Sequence, residues 1–370
     1  MTDPASLVVI GTGGLARAIT YALAVIPQAP IRVSVVGRDP ARAAEICYVS
    51  SARAATSGTA AEFRPVTVDL TCADALTDAL AAAAPAGVVL AASSQSPWES
   101  RTSPSEWTAL VQRAGFGLTL PFQADSALRV GRALAATGRD SWFVNACFPD
   151  AVNPVLSAAG VPVLCGIGNA GLLAASLQAA LGLPDQRELC VLAHHVHLYT
   201  PPSPADEALA WQGDQPLTQV SALLAAQRAA GRAELNHVTG LTAARLLSGL
   251  LAGAEIDTNL PGPLGLPGGY PVRLARGRLD LRLPPGMDRS EAVAFNQRAA
   301  LRDGVVVDGE RLTFGPAARE ELARLAPEIA DGFPVADLAH AGDVLGRLRD
   351  RLRDLAPEQD LRSLHPVTRS

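Results

Sequence analysis

The chain of 370 residues contains no lysine; its 31 strongly basic side chains are all arginine. Schiff-base chemistry through a side-chain amine is therefore excluded, and so is a lysine acid or base. Positive charge is not in excess. The net charge is -5, which leaves nothing to meet nucleic-acid phosphates. No apolar run is long enough to span a bilayer, so no membrane partner is expected. A basic segment followed by a long apolar stretch is missing from the start, which points to a cytoplasmic protein. The five cysteines, Cys47, Cys72, Cys147, Cys165 and Cys190, show no CxxC spacing. They read as reduced thiols, each a small buried hydrophobe. What is present is 48% hydrophobic and 18% charged residues. That composition is globular, and the length allows two domains with cores of their own.

The chain is organised around its opening stretch. Residues 7–10 (LVVI) read as a buried strand, and residues 15–25 as a helix. Between them lies Gly11-Thr12-Gly13-Gly14-Leu15-Ala16. Gly11 permits the tight exit from the strand, and Gly13 lets a pyrophosphate approach the backbone. Ala16 stands where helix and strand pack closely. The helix N-terminus offers free N–H groups to phosphate. The expected fold class is α/β, with an N-terminal Rossmann-type doubly wound parallel sheet followed by an α+β domain. A second strand, 31–36, ends in Gly37-Arg38-Asp39. NAD enzymes carry an acidic residue at this strand end to accept from the ribose 2′-OH. Here Gly37 and Arg38 follow the strand instead, and an arginine suits a 2′-phosphate. NADP(H) is the favoured cofactor, with NAD(H) the alternative should Asp39 turn inward. No metal is expected.

Further strands are expected over 64–70, 87–92 and 142–146, with helices from 40 and over 73–84, 107–113 and 123–137. The fourth strand opens into a long polar loop that begins at Ser93 and contains Arg101, where ligands bind in open α/β sheets. No linker signature marks the boundary, so the dinucleotide-binding domain is placed at 1–155 and the substrate domain at 156–370. In the second half, strands are expected over 161–166 and 188–199, the latter carrying His194, His195 and His197. Helices follow over 171–181, 220–232 and 241–254, then a Pro/Gly-rich connection at 259–269. Antiparallel pairs are expected at 270–274 with 279–283 and at 304–307 with 311–314. Helices 316–325 and 341–355 close the chain before a mobile tail at 366–370.

This order of features resembles the lactate/malate dehydrogenase-like superfamily, which includes the NAD-dependent family-4 glycosidases. The likeness rests on Gly11-x-Gly13-x-x-Ala16, the loop with Arg101, Asn145 with Asn153-Pro154, and Val191-Leu-Ala-His194-His195. The run from Asp303-Gly304-Val305 to Glu320-Glu321 resembles the family's C-terminal strand–strand–helix. It implies that Arg101 clamps a substrate anion and that a histidine of the 188–199 strand is catalytic. Two departures stand out. The family's dehydrogenases orient the histidine with an aspartate on the preceding helix; here that helix, starting at Gly168-Asn169, has no carboxylate. The glycosidases hold a metal through a cysteine at that place, and here it is gone.

In a strand, His195 and His197 would share one face and His194 the other. Neutral-range imidazoles suit proton transfer to a carbonyl oxygen. A metal on His195 and His197 would lack a third ligand at matching spacing. Candidate catalytic residues are His195, His197, Arg101 and Asn145; Arg273 and Tyr270 are a further anion anchor and proton donor, with Asp206 and Glu207 behind them. Cofactor contacts are expected from Gly11 to Ala16, Arg38 and Ser93. The expected activity is NAD(P)-dependent hydride transfer at a carbonyl or hydroxyl carbon of a small carboxylate-bearing metabolite, in a homodimer. Alternatives are imine reduction of the opine type, a redox-assisted lyase or glycosidase, and a sensor that binds NAD(P) without turnover.

Overall fold

Strand β1 (Ala5–Ile10) runs at the centre of a parallel sheet, paired on one side with β2 (Ile31–Gly37) and on the other with β4 (Gly87–Leu90). The structure is a computed structural model and describes residues 4–27 and 29–357; the tail expected at 366–370 lies outside them. Among the described residues, β3 (Ala61–Thr67), β5 (Trp142–Asn145) and β6 (Cys165–Gly166) complete the order β3-β2-β1-β4-β5-β6. The expected doubly wound α/β fold is thus present.

Both faces of this sheet are buried, which explains the continuous apolar runs. Val8, Ile10, Val88 and Leu90 enter one core; Leu7, Val9, Val33 and Val89 enter the other. Each such aliphatic chain contributes about 1.5–3 kcal/mol by leaving water. The second core holds α1 (Gly14–Leu23) and α2 (Pro40–Ser57). The first holds α3 (Ala73–Ala83), α5 (Glu106–Ala114), α6 (Leu120–Ala136) and α7 (Pro149–Ala158); α4 (Glu99–Thr102) is a single turn outside it.

Beyond the sheet come α8 (Asn169–Ala180), β7 (Leu189–Leu192), β8 (Leu209–Gln212) and β9 (Gln215–Pro216). Then follow α9 (Val220–Leu223), α10 (Ala225–Ala229) and α11 (Arg232–Ala252). The antiparallel β10 (Ile256–Pro261), β11 (Gly269–Ala275) and β12 (Arg278–Leu281) precede α12 (Arg289–Arg302). β13 (Val305–Asp308), β14 (Arg311–Phe314), α13 (Pro316–Leu325), β15 (Phe333–Pro334) and α14 (Leu338–Arg353) close the described chain.

Several expectations are corrected. The strand expected at 64–70 begins earlier, at Ala61. The one expected at 161–166 pairs only over Cys165–Gly166, and it joins the parallel sheet although it lies past residue 155. The helix expected at 220–232 is broken into α9 and α10, and the next starts at Arg232 rather than 241. The Pro/Gly connection contains the end of β10, whose Asn259 lies opposite Pro271 on β11. The histidine strand is the largest correction. β7 stops at Leu192, and His195–Leu198 form a 3-10 turn. The backbone N–H of His194 donates to Nδ1 of His197 at 2.7 Å, an internal bond that competes with a strand ladder.

Candidate active site

The glycine-rich turn leaves open backbone at the start of α1. Gly11 has φ +130°, and a Cβ there would meet the carbonyl oxygen of Ala91 at 2.5 Å. Glycine is thus demanded by the fold at that position. Gly13 is different: a Cβ would find nothing within 4 Å. It is the N-cap of α1, and no side chain caps that end. The first N–H groups of α1 therefore remain free for an anion. Thr12 and Leu15 are partly covered, Gly14 is exposed, and Ala16 is fully buried where α1 meets the sheet. These features fit a dinucleotide. At the end of β2, a Cβ on Gly37 would meet Cγ2 of Thr12 at 2.6 Å. Arg38 is exposed. Asp39 does not turn inward: it caps α2, accepting from the N–H groups of Ala41 and Arg42. Ser93 Oγ donates to the carbonyl of Gln95 at 2.7 Å.

The second focus is His195. Its Nδ1 lies 2.9 and 3.1 Å from the two carboxylate oxygens of Asp303. A carboxylate only accepts, so Nδ1 carries the proton. Nε2 is left without a hydrogen-bond partner among the described residues. Asp303 caps the end of α12, and its carbonyl accepts from the N–H of Gly117 at 2.6 Å. Gly115 lets this contact close, since a Cβ there would strike the same carbonyl oxygen at 2.5 Å. The carboxylate that the helix before β7 lacks is therefore supplied from another part of the chain. Burial alone would lower the imidazole of His195, but the charge and hydrogen bond of Asp303 outweigh it and raise it. Burial likewise opposes ionisation of Asp303, and His195 overcomes it, so its carboxyl is lowered.

Aromatic rings frame this pair. Phe116, Phe148 and Tyr199 have ring centres 5.1, 5.5 and 6.1 Å from that of His195. Phe148 has φ +47°, a left-handed conformation that costs a non-glycine residue about 1–3 kcal/mol. Two residues on, Asp150 is wholly buried. One of its oxygens accepts from the Asn169 amide; the other is buried without a partner. Burial pushes its carboxyl up to about 6. A cavity of about 460 Å³ lies alongside, lined by Val196, Tyr199, Thr200, Pro201, Arg302 and Asp303.

The remaining expected residues have other surroundings. His197 is buried, stacked on Phe295, with Nδ1 bonded to the His194 N–H and Nε2 3.1 Å from the Asp206 carbonyl. Burial pushes it down to about 4. His194 is buried with neither ring nitrogen hydrogen-bonded, its Nδ1 3.6 Å from a carboxylate oxygen of Asp303, and burial pushes it down to about 3. Asn145 spends its amide on the Cys147 carbonyl and Asn153 Oδ1, and its Oδ1 accepts from the Cys147 N–H. Arg101 is exposed on α4, its guanidinium 5.9 Å from the Trp98 ring. No contact joins it to His195. Arg273 is paired with Asp257 at 2.7 and 2.8 Å, and Tyr270 is wholly buried. Glu207 is committed to Arg228 at 2.7 Å. Among the described residues, no three histidine, cysteine or acidic side chains are placed to hold a metal ion. No described helix is long and apolar enough to cross a membrane.

No protein-family model and no curated protein matches the chain. Solved structures do. Lactate dehydrogenase from Cryptosporidium parvum, with lactic acid and nicotinamide adenine dinucleotide, matches with TM-score 0.56 and 12% identity over 82% of this chain and 96% of that one. Lactate dehydrogenase from Eimeria maxima, with NADH and oxamate, gives 0.54 and 12% over 93% and 97%. Malate dehydrogenase from Salinibacter ruber gives 0.52 and 12% over 93% and 99%. The chain thus has the fold of these dehydrogenases.

Proposed function

We propose that this protein is an NAD(P)-dependent oxidoreductase acting at a carbonyl or hydroxyl carbon of a small carboxylate-bearing metabolite. The observation that carries this reading is the His195–Asp303 pair, set in a fold whose opening turn leaves the N-terminus of α1 free for phosphate. A bound nicotinamide would supply or accept the hydride. His195 does the proton work. In reduction, Nε2 gives its proton to the substrate oxygen as the C=O π pair moves onto that oxygen. In oxidation, Nε2 takes the hydroxyl proton. Asp303 fixes the tautomer and favours the protonated ring. Phe116 and Phe148 shield the pair from water, which strengthens it.

NADP(H) is the preferred cofactor on this reading. Gly37 offers no acceptor for a ribose hydroxyl, Thr12 fills the space a side chain there would take, and Asp39 is engaged as a cap. Arg38 makes no ion pair among the described residues and is exposed toward solvent. Titration with NADPH and NADH, followed by nicotinamide fluorescence, tests this. Tighter NADPH binding that Arg38→Ala removes is expected; failure of both cofactors to bind below millimolar would end the proposal.

One observation favours imine reduction as a second reading. Asp150 holds a partnerless buried carboxylate oxygen whose charge reaches His195, and a second carboxylate suits a protonated C=N group. NADPH oxidation by amine–oxo acid mixtures but not by the oxo acid alone would select it.

A further inference from the structure

Three arginines surround the segment that carries His195, and two are committed. Arg228 is bound by Glu207 at 2.7 Å, and Arg302 by Asp206 at 3.2 Å. Arg232 has no carboxylate partner among the described residues. Its guanidinium lies 4.4 Å from the Tyr199 ring centre, and one nitrogen is 3.4 Å from the Leu198 carbonyl. The Tyr199 ring is itself 6.1 Å from His195. One aromatic ring thus links a guanidinium without a carboxylate partner to His195.

The position of Arg232 on its helix adds a second line. It opens α11, and residues spaced by four share one helix face. Along that face, Asn236 Nδ2 stands 3.2 Å from where a Gly14 Cβ would be, and a Cβ on Gly240 would meet the backbone of Ala18 at 2.5 Å. The two helices therefore run side by side in the same direction. Arg232, one turn before Asn236, projects past the N-terminus of α1. It stands between the glycine-rich turn and His195. The Asn236 amide makes no hydrogen bond to any described residue, so it too is available.

We infer that Arg232, assisted by Asn236, anchors an oxyanion between the glycine-rich turn and His195. A guanidinium stacked on an aromatic ring is held in place without losing its outward N–H fork, and that fork matches carboxylate or phosphate oxygens two at a time. The ligand is either the carboxylate of the substrate or the pyrophosphate of the dinucleotide. This inference rests on the proposed function for the sources it names, but not for the anion site itself.

Binding measurements separate the cases. Oxalate and inorganic pyrophosphate are titrated calorimetrically into the cofactor-free full chain, and NADPH by fluorescence. Arg232→Leu is expected to weaken at least one of these ligands tenfold or more, with Arg232→Lys intermediate and Asn236→Ala weaker by a few-fold. Loss of oxalate binding alone assigns the substrate carboxylate. Loss of pyrophosphate and NADPH binding assigns the cofactor. Oxalate, pyrophosphate and NADPH affinities all unchanged within twofold in Arg232→Leu would overturn the inference. So would oxalate binding that Arg101→Leu removes and Arg232→Leu does not, when Arg232→Leu also leaves pyrophosphate and NADPH binding intact. A wild-type chain that binds oxalate through Arg232 but no NADPH would end the oxidoreductase reading and leave the anion site standing. Thermal unfolding of each variant controls for folding: Arg232 is only partly buried, so Arg232→Lys keeps the ring contact if Arg232→Leu does not fold.

Discussion

Replacing His195 by Gln is expected to lower the rate of carbonyl reduction about 10²–10⁴-fold while leaving NADPH affinity within twofold, as removal of a general acid does. Steady-state rates with fluorescence titration check this. The pH dependence follows from the sign of its shift. His195 is raised above 6.5, so reduction holds at low pH and falls as pH rises through that raised value. Asp303→Asn removes the stabilising charge and should move the falling limb to lower pH. Gly13→Val should leave thermal stability unchanged, because a side chain there meets nothing, yet abolish NADPH binding. Asp150 works in the opposite sense to a paired carboxylate. Its folded value of about 6 exceeds 3.8, so the folded chain gains stability as pH falls through that window. Asp150→Asn should therefore be more stable than wild type at pH 8, by about 3 kcal/mol. The gain should shrink toward zero near pH 4 in denaturant titrations. At this scale the sequence disclosed the turn glycines and the histidine cluster. It did not disclose Asp303 as the partner of His195. The two stand 108 residues apart, and no periodicity links a helix cap to a distant turn.

Elements with strong apolar patterns were the most legible. The helix at 316–325 and the strand at 311–314 lie where residue spacing puts them. The histidine segment was misread because its β-branched and apolar residues continue past Leu192, while one side-chain hydrogen bond turns the backbone. α11 was misread at its start because its outward face is polar and its contact with α1 depends on a glycine. A side chain at residue 240 would meet the backbone of Ala18. Gly240→Val should thus push the two helices apart, at a cost of about 1–3 kcal/mol or more. On the proposed reading the turn before α1 would hold the phosphates, so the same variant should weaken NADPH binding. Denaturant unfolding and fluorescence titration report the two effects separately.

On the scale of the whole molecule, the sheet was legible but its partners were not. One core joins Val8, Leu90 and Phe143 of the sheet to Val305, Leu322 and Leu345 near the end of the described chain. Glu99 and Arg353 add a two-pronged ion pair at 2.6 and 2.7 Å across the same join. Residues 1–155 expressed alone are therefore expected to lack a cooperative unfolding transition by calorimetry, since much of one sheet face would stay bare. The clamp on Asp303 has a consequence in time. A chain leaving the ribosome exposes the Gly11–Ala16 turn before His195, and His195 before Asp303. The carbonyl of Asp303 accepts from the N–H of Gly117, so this contact closes only once Asp303 has been made, long after Gly117. On the proposed reading, a nascent chain that had begun to grip a dinucleotide would still lack a working acid, and the cell's reductant would stay unspent until Asp303 has joined the fold.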